Sequence, residues 1–219
     1  VSILYSFVAA LTVSVICIAV ARIVTKLKHK WDKLYEPLIL IPWLLPSTMI
    51  ALGLMMTYDE ARWNLANKVL VATPVIMLIA YMIIKLPFSY RMIRAAFIGL
   101  DGNMEEAAQV MGAKPFYTMR KVILPIIMPV VLSVVVLNFN GLLSEYDLSV
   151  FLYHPLFQPL GIVIKLATDE TATTDAQAMA FVYTVVLMII STIALWLGRY
   201  DGLGKIKSFF TKKKNGGKN

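Results

Sequence analysis

Apolar residues run in long blocks along this chain, separated by short polar intervals. Val1 to Ala21 is almost wholly apolar and about long enough to cross a bilayer core of roughly 30 Å as a helix. Further blocks at about 37–57, 69–86, 122–144 and 178–198 bring the expected spans to five. Only helices or closed barrels cross lipid, and blocks of this length predict helices. The pattern therefore predicts an all-α membrane protein with five transmembrane helices. Pro42 and Pro46 interrupt the second block, where neighbouring helices must re-satisfy the backbone. Ala51 and Gly53 follow and permit close helix contact. Lys68 and Lys85 stand at the ends of the third block, placed to snorkel toward the interface. Residues 1–200 thus form the membrane domain, and 201–219 a basic cytoplasmic tail that is disordered at its end.

Composition agrees with this reading. Hydrophobic residues make up 59% and charged residues 16%, outside the usual range of soluble domains. The net charge of +8 raises nucleic acid as a partner, but the placement of the charges argues against it. Arg62, Lys68 and Lys165 fall on one side of the expected bilayer, with seven acids: Asp59, Glu60, Glu145, Asp147, Asp169, Glu170 and Asp175. The other eighteen of the 21 Lys and Arg fall on the opposite side. The positive-inside rule then puts the N-terminus outside, and the 87–121 loop and the C-terminus in the cytoplasm. The lysine-rich tail reads first as a topology signal with a solvated end, and second as a contact for anionic lipid.

Little else in the chain suggests bond chemistry. Cys17 is the single cysteine, which excludes an internal disulfide and a multi-cysteine metal site. It reads as a small packing residue. His29 and His154 fall on opposite sides of the expected membrane, so they cannot share a metal or form a catalytic pair. A phosphate-binding loop needs Gly-x4-Gly-Lys-Ser/Thr between a strand and a helix. The nearest stretch, Gly198 to Lys205-Ile206, has the wrong spacing and the wrong last residue. No catalytic residue, metal site or cofactor is expected, and any nucleotide hydrolysis must come from a separate chain.

The most structured polar interval is Glu106-Ala107-Ala108-Gln109-Val110-Met111-Gly112, followed by Val122-Ile123-Leu124-Pro125. Met104, Ala107, Ala108 and Met111 share one helical face. Asp101 or Asn103 can cap the start, and Asn103 with Glu106 has capping-box spacing. Gly112 suits the left-handed residue that ends a helix. Lys114-Pro115 then opens a second helix, with proline where its missing N–H costs nothing. The expectation is a short helix, a glycine turn, and a helix that enters the membrane.

This interval resembles the EAA loop of the inner-membrane permeases of bacterial binding-protein-dependent ABC importers. That pattern is Glu-Ala-Ala, three residues, Gly, nine residues, Ile, one residue, Leu-Pro. Glu106, Ala107, Ala108, Gly112, Leu124 and Pro125 match at the same spacing, and Val122 replaces the isoleucine. Leu45-Pro46-Ser47-Thr48 with Ala51-Leu52-Gly53, and Tyr90-Arg91 with Arg94-Ala95-Ala96, are similar to the family's corresponding helices. The resemblance implies a type I importer permease core in the bacterial inner membrane, with a cytoplasmic coupling helix. It also implies two ATPase subunits below, a solute-binding protein outside, and a second permease half as a homodimer, heterodimer or fused chain. The opening Val1 and the lack of a signal-peptide layout suggest a fragment, the C-terminal half of a longer permease.

The fourth block bears most on transport. At 100° per residue, Val134, Asn138, Gly141 and Glu145 form one stripe, and Ser133, Asn140, Ser144 and Asp147 another if the helix continues. Polar side chains avoid lipid, so Asn138 and Glu145 are expected to border the translocation path. The alternative for Asn138 and Asn140 is plain interhelical hydrogen bonding. Ser144-Glu145-Tyr146-Asp147-Leu148-Ser149-Val150 and Tyr153-His154-Pro155 are similar to ferric-iron-type permeases, which implies iron as cargo. Direct ligation of iron by Tyr146, Asp147, Tyr153 or His154 is not expected. Polyamine, phosphonate, sulfate and sugar remain alternative cargoes, and a membrane-embedded structural or signalling subunit is the alternative class. A secondary transporter would use paired membrane acids, which the spans hardly contain.

Overall fold

The computed structural model describes residues 1–27, 32–60, 69–169 and 173–198. Among these, every regular element is helical: α1 Ser2–Leu27, α2 Asp32–Leu40, α3 Ser47–Tyr58, α4 Pro74–Ile98, α5 Gly102–Val110, α6 Pro115–Thr118, α7 Leu124–Leu143, α8 Ser149–Leu152, α9 Leu160–Ala167 and α10 Thr174–Gly198. A π-helical turn, Met119–Ile123, joins α6 to α7, so one helix runs through Pro115–Leu143. Four of the described helices are long and apolar enough to cross a membrane: α1, α4, α6–α7 and α10. The tail 201–219, His29, Arg62, Lys68 and Glu170 lie outside the described residues.

The second block departs from a straight 37–57 span. It is a bent pair whose halves meet at 99°. Pro42 sits in a 3-10 turn, Ile41–Trp43, and Pro46 stands in extended conformation just before α3, with ψ 142°. Each proline removes a helical donor, and each disfavours helix in the residue before it. Two of them four residues apart are enough to break the axis. Ala51 is fully buried, as its small size suggests, but Gly53 faces open space.

The third block is also corrected. Its helix starts later and runs much further than 69–86. Thr73 caps α4 by accepting the Ile76 N–H, and Pro74 takes the first turn, where no donor is needed. The helix then continues through a buried Pro87 to Ile98. The proline's neighbours Leu86 and Phe88 pack against the cluster of α1, α4 and α7, a setting in which membrane helices tolerate proline. Lys85 is therefore mid-helix and half-buried, not a snorkelling end residue.

The core is a three-helix packing of α1, α4 and α7. Val13, Cys17 and Ala21 of α1 meet Tyr90, Ile93 and Phe97 of α4 and Ile127, Val131 and Val134 of α7. Cys17 is buried, and its Sγ donates to the Leu86 carbonyl at 3.7 Å. A second cluster pulls Leu148 and Leu152 against Ala51, Ile76, Met77 and Tyr81, so the segment after α7 folds back into the bundle. By contrast α10 lies at the edge, against α7 and α9. It exposes Phe181, Val185, Met188, Ile189 and Trp196, an apolar surface suited to lipid or to another membrane helix.

Candidate functional site

The EAA interval forms a tight corner below the bundle. Asp101 caps α5, accepting the Asn103 N–H at 3.0 Å, so the cap falls on Asp101 and the Asn103–Glu106 spacing goes unused. At the other end Gly112 has φ +80°. Its N–H donates to the Gln109 carbonyl at 2.8 Å, and the Ala113 N–H donates to the Ala108 carbonyl at 3.0 Å. This is the paired-bond Schellman ending, which needs a left-handed residue at Gly112. Pro115 opens α6 as expected. Leu124 lies at the π turn, donating five residues back to the Met119 carbonyl, and Pro125 follows in the first turn of α7. The wider π turn absorbs the donor that Pro125 lacks.

The expected apolar face is only partly used. Ala108 is buried at 4% exposure, where its small side chain lets α5 approach the membrane helices. Ala107 and Glu106 are exposed. Met104, Val110, Met111, Phe116 and Tyr117 are exposed too, with Val110 at 89% and Met111 at 81%. The corner thus presents an apolar surface away from its own chain. Ala108, Gly112, Lys114, Tyr117 and Val122 enclose a cleft of about 520 Å³ beneath it.

Charge ties this corner to the bundle. Glu105 receives Arg22 at 2.6 Å and Lys26 at 2.8 Å, both from the last turns of α1. The Arg22 hydrogen bond, with Lys26 adding to it, holds the Glu105 carboxyl below the usual carboxylate range. Arg94 near the end of α4 pairs with Glu36 of α2, and Arg91 stacks over Trp43 at 6.0 Å. Nothing local in the sequence announces the Glu105 clamp, since its partners lie about eighty positions away. A cleft of about 620 Å³ runs between these charges, with Glu106 and Gln109 on its wall.

The two pathway candidates part company. Asn138 is 1% exposed and donates to Ser89 Oγ at 2.6 Å. It makes an interhelical bond between α7 and α4 and is buried within this chain. Glu145 lies beyond the end of α7, because the helix stops at Leu143. Asp147 is exposed and the second stripe ends with the helix. Glu145 still turns toward α4, where its charge acts on Lys85. Lys85 is the functional candidate missing from the sequence reading. The available signal was a lysine spaced four residues from both Tyr81 and Ser89. His154 Nδ1 accepts the Leu156 N–H at 3.0 Å, a local turn contact.

A family model described as binding-protein-dependent transport system inner membrane component matches residues 14–200. The chain belongs to that family. It is 36% identical over 165 residues to the ABC transporter permease protein y4fN of Sinorhizobium fredii (strain NBRC 101917 / NGR234), covering 75% of this chain and 29% of the relative. A relative named as the 2-aminoethylphosphonate transport system permease protein PhnV of Salmonella choleraesuis (strain SC-B67) is 24% identical, with 78% and 64% covered. One named as the sulfate transport system permease protein cysT of Prototheca wickerhamii is 27% identical, with 64% and 57% covered. The chain thus spans less than two thirds of the length of each.

Solved structures share the fold. A bacterial ABC transporter involved in import of the acidic polysaccharide alginate superposes with a TM-score of 0.70 at 16% identity, covering 89% of this chain and 78% of that one. The inward-facing MetNI methionine ABC transporter gives 0.65 at 15% identity, with 90% and 91% covered. The all-α permease architecture read from the sequence is therefore the observed one.

Proposed function

We propose that this chain is the membrane subunit of an ABC importer. It forms part of the substrate path and relays the motion of a separate ATPase. The observation that carries this reading is the corner at α5. Its helix is capped by Asp101 and ended by Gly112, bolted to α1 through Glu105, packed on α6 and the π turn, and apolar on its free side. A rigid body with an exposed greasy tip can receive a push, and its ion pairs pass the push to α1. Glu106, Ala107, Ala108, Gly112, Leu124 and Pro125 are the coupling residues in this reading, and Glu145 borders the path. Two ATPase subunits dock below, a solute-binding protein docks outside, and a second permease half completes the path. The N-terminus lies outside and the C-terminus in the cytoplasm of a bacterial inner membrane.

For cargo, the relatives named for 2-aminoethylphosphonate and sulfate support a small oxyanion rather than ferric iron. A half-buried lysine inside the bundle suits that chemistry. The test is co-purification and uptake. In the Met111→Asp variant, a charge at the exposed tip is expected to release the ATPase subunits and stop uptake while the permease still inserts. Full ATPase recovery and full uptake in that variant overturn the reading.

A further inference from the structure

Tyr81, Lys85 and Ser89 are four residues apart on α4, so they line one stripe of that helix. The stripe faces Ser149, Glu145, Gly141 and Asn138 on the α7–α8 segment. At its outer end Tyr81 Oη and Ser149 Oγ share a hydrogen bond of 2.8 Å. At its inner end Asn138 donates to Ser89 at 2.6 Å. Both contacts are buried and saturated by partners within the chain.

The middle of this seam is different. Lys85 lies roughly 16 Å along α4 from Pro74, near the middle of a helix long and apolar enough to cross a membrane. Gly141 sits opposite its ammonium: a Cβ at that position would come within 2.8 Å of Lys85 Nζ. Among the described residues the ammonium has no hydrogen bond and no ion pair. Glu145 attracts it without touching it, and the Glu145 carboxylate has a donor of its own in the Leu148 N–H. An ammonium carries three donors and no acceptor. A charge held in a bilayer without a partner is costly, and such residues mark ion and substrate paths.

We propose that Lys85 is the anion contact of the translocation path: its ammonium, seated in the space that Gly141 leaves for it, takes an oxygen of an oxyanionic cargo at mid-membrane. This rests on the oxyanion-importer reading above and adds the residue that selects the charge of the cargo. Glu145 balances the lysine, so the passing anion is drawn in but not trapped, which conduction requires. The paired residues on either side, Tyr81–Ser149 and Asn138–Ser89, hold the stripe in register.

The test uses the complete transporter, with its ATPase and solute-binding protein, in cells lacking other uptake routes. The probes are labelled sulfate and labelled 2-aminoethylphosphonate. The wild type is expected to accumulate at least one of them. Lys85→Met should cut that uptake by about tenfold or more, the scale of a charged hydrogen bond. Lys85→Arg should retain most of it, and Gly141→Ala should fall between, because the new methyl displaces the ammonium. The amount of assembled transporter is measured for each variant. If Lys85→Met assembles and transports like the wild type, Lys85 has no such role while the importer reading stands. If the wild type accumulates neither probe, the oxyanion reading fails and this inference with it. Uptake restored in Lys85→Met/Glu145→Gln also overturns it, since Lys85 would then only neutralise Glu145. Should Lys85→Met not assemble, Gly141→Ala carries the test, and wild-type uptake there overturns the proposal.

Discussion

The corner below the membrane and the seam inside it use charge in opposite ways. At the corner Glu105 holds two cations and Arg94 has Glu36. Those pairs join α5 to α1 and α4 to α2, so charge there acts as a fastener. In the seam the neutral groups are paired, Tyr81 with Ser149 and Asn138 with Ser89, and the cation between them has no acceptor. Water lowers the worth of ion pairs at the corner, where Lys26 is 42% exposed. Lys85 in the seam is half-buried and has no ion pair to be screened, so an ammonium there is costly and needs a reason. The difference teaches that a transporter can spend its polar contacts on rigidity at the ends of a stripe and leave the centre available.

The largest expected break in this contrast is Glu105→Lys. It replaces two charge-assisted bonds, each worth about 1.5–3 kcal/mol before discounting for exposure, with a third cation beside Arg22 and Lys26. ATPase recovered with the permease should fall about tenfold or more, while insertion is unchanged; unchanged recovery would mean that the clamp carries no load. Next comes Asn138→Leu, which leaves the buried Ser89 oxygen without its donor at a cost of about 1–3 kcal/mol, while Ser89 keeps its own donation to the Lys85 carbonyl. Melting of the solubilised transporter should report it. The double variant Asn138→Leu/Ser89→Ala should lose less than the sum of the two single changes, because they share one bond.

A smaller effect is expected at Gly112. A Cβ there meets no neighbouring atom, so Gly112→Ala pays only for its left-handed backbone, about 1–2 kcal/mol. Coupled uptake should drop several-fold with no change in the seam. The smallest effect concerns pH. Because the folded chain lowers the Glu105 pKa, the clamp is complete above the ordinary carboxylate value and is lost as pH falls through the lowered one. Exchange protection of α5 amides, corrected for intrinsic rates, should therefore fade only below the ordinary carboxylate range. In Glu105→Gln that pH dependence should disappear.

Much of the corner was legible in the residues themselves. The left-handed Gly112 and the opening Pro115 follow from the conformational limits of single residues and their near neighbours, whereas the cap was open between Asp101 and Asn103 until the fold chose Asp101. The stripe of Val134, Asn138 and Gly141 followed from helical periodicity alone. Two things were not legible. Pro87 reads as a helix end, yet α4 continues through it to Ile98, with the proline buried inside the bundle. Lys85 was consequently placed at a helix end, whereas it lies near the middle of α4.

What the sequence determined unaided was the local grammar: which blocks are apolar enough to cross lipid, how the corner helix ends at Gly112, and which loop carries the EAA pattern. These depend on interactions within a few residues, which chain order specifies. Only the tertiary structure decided that Glu105 is held by Arg22, that Asn138 is spent on Ser89, and that Lys85 faces Gly141. Those partners are 83, 49 and 56 positions apart in the chain, and they meet because α1, α4 and α7 pack side by side.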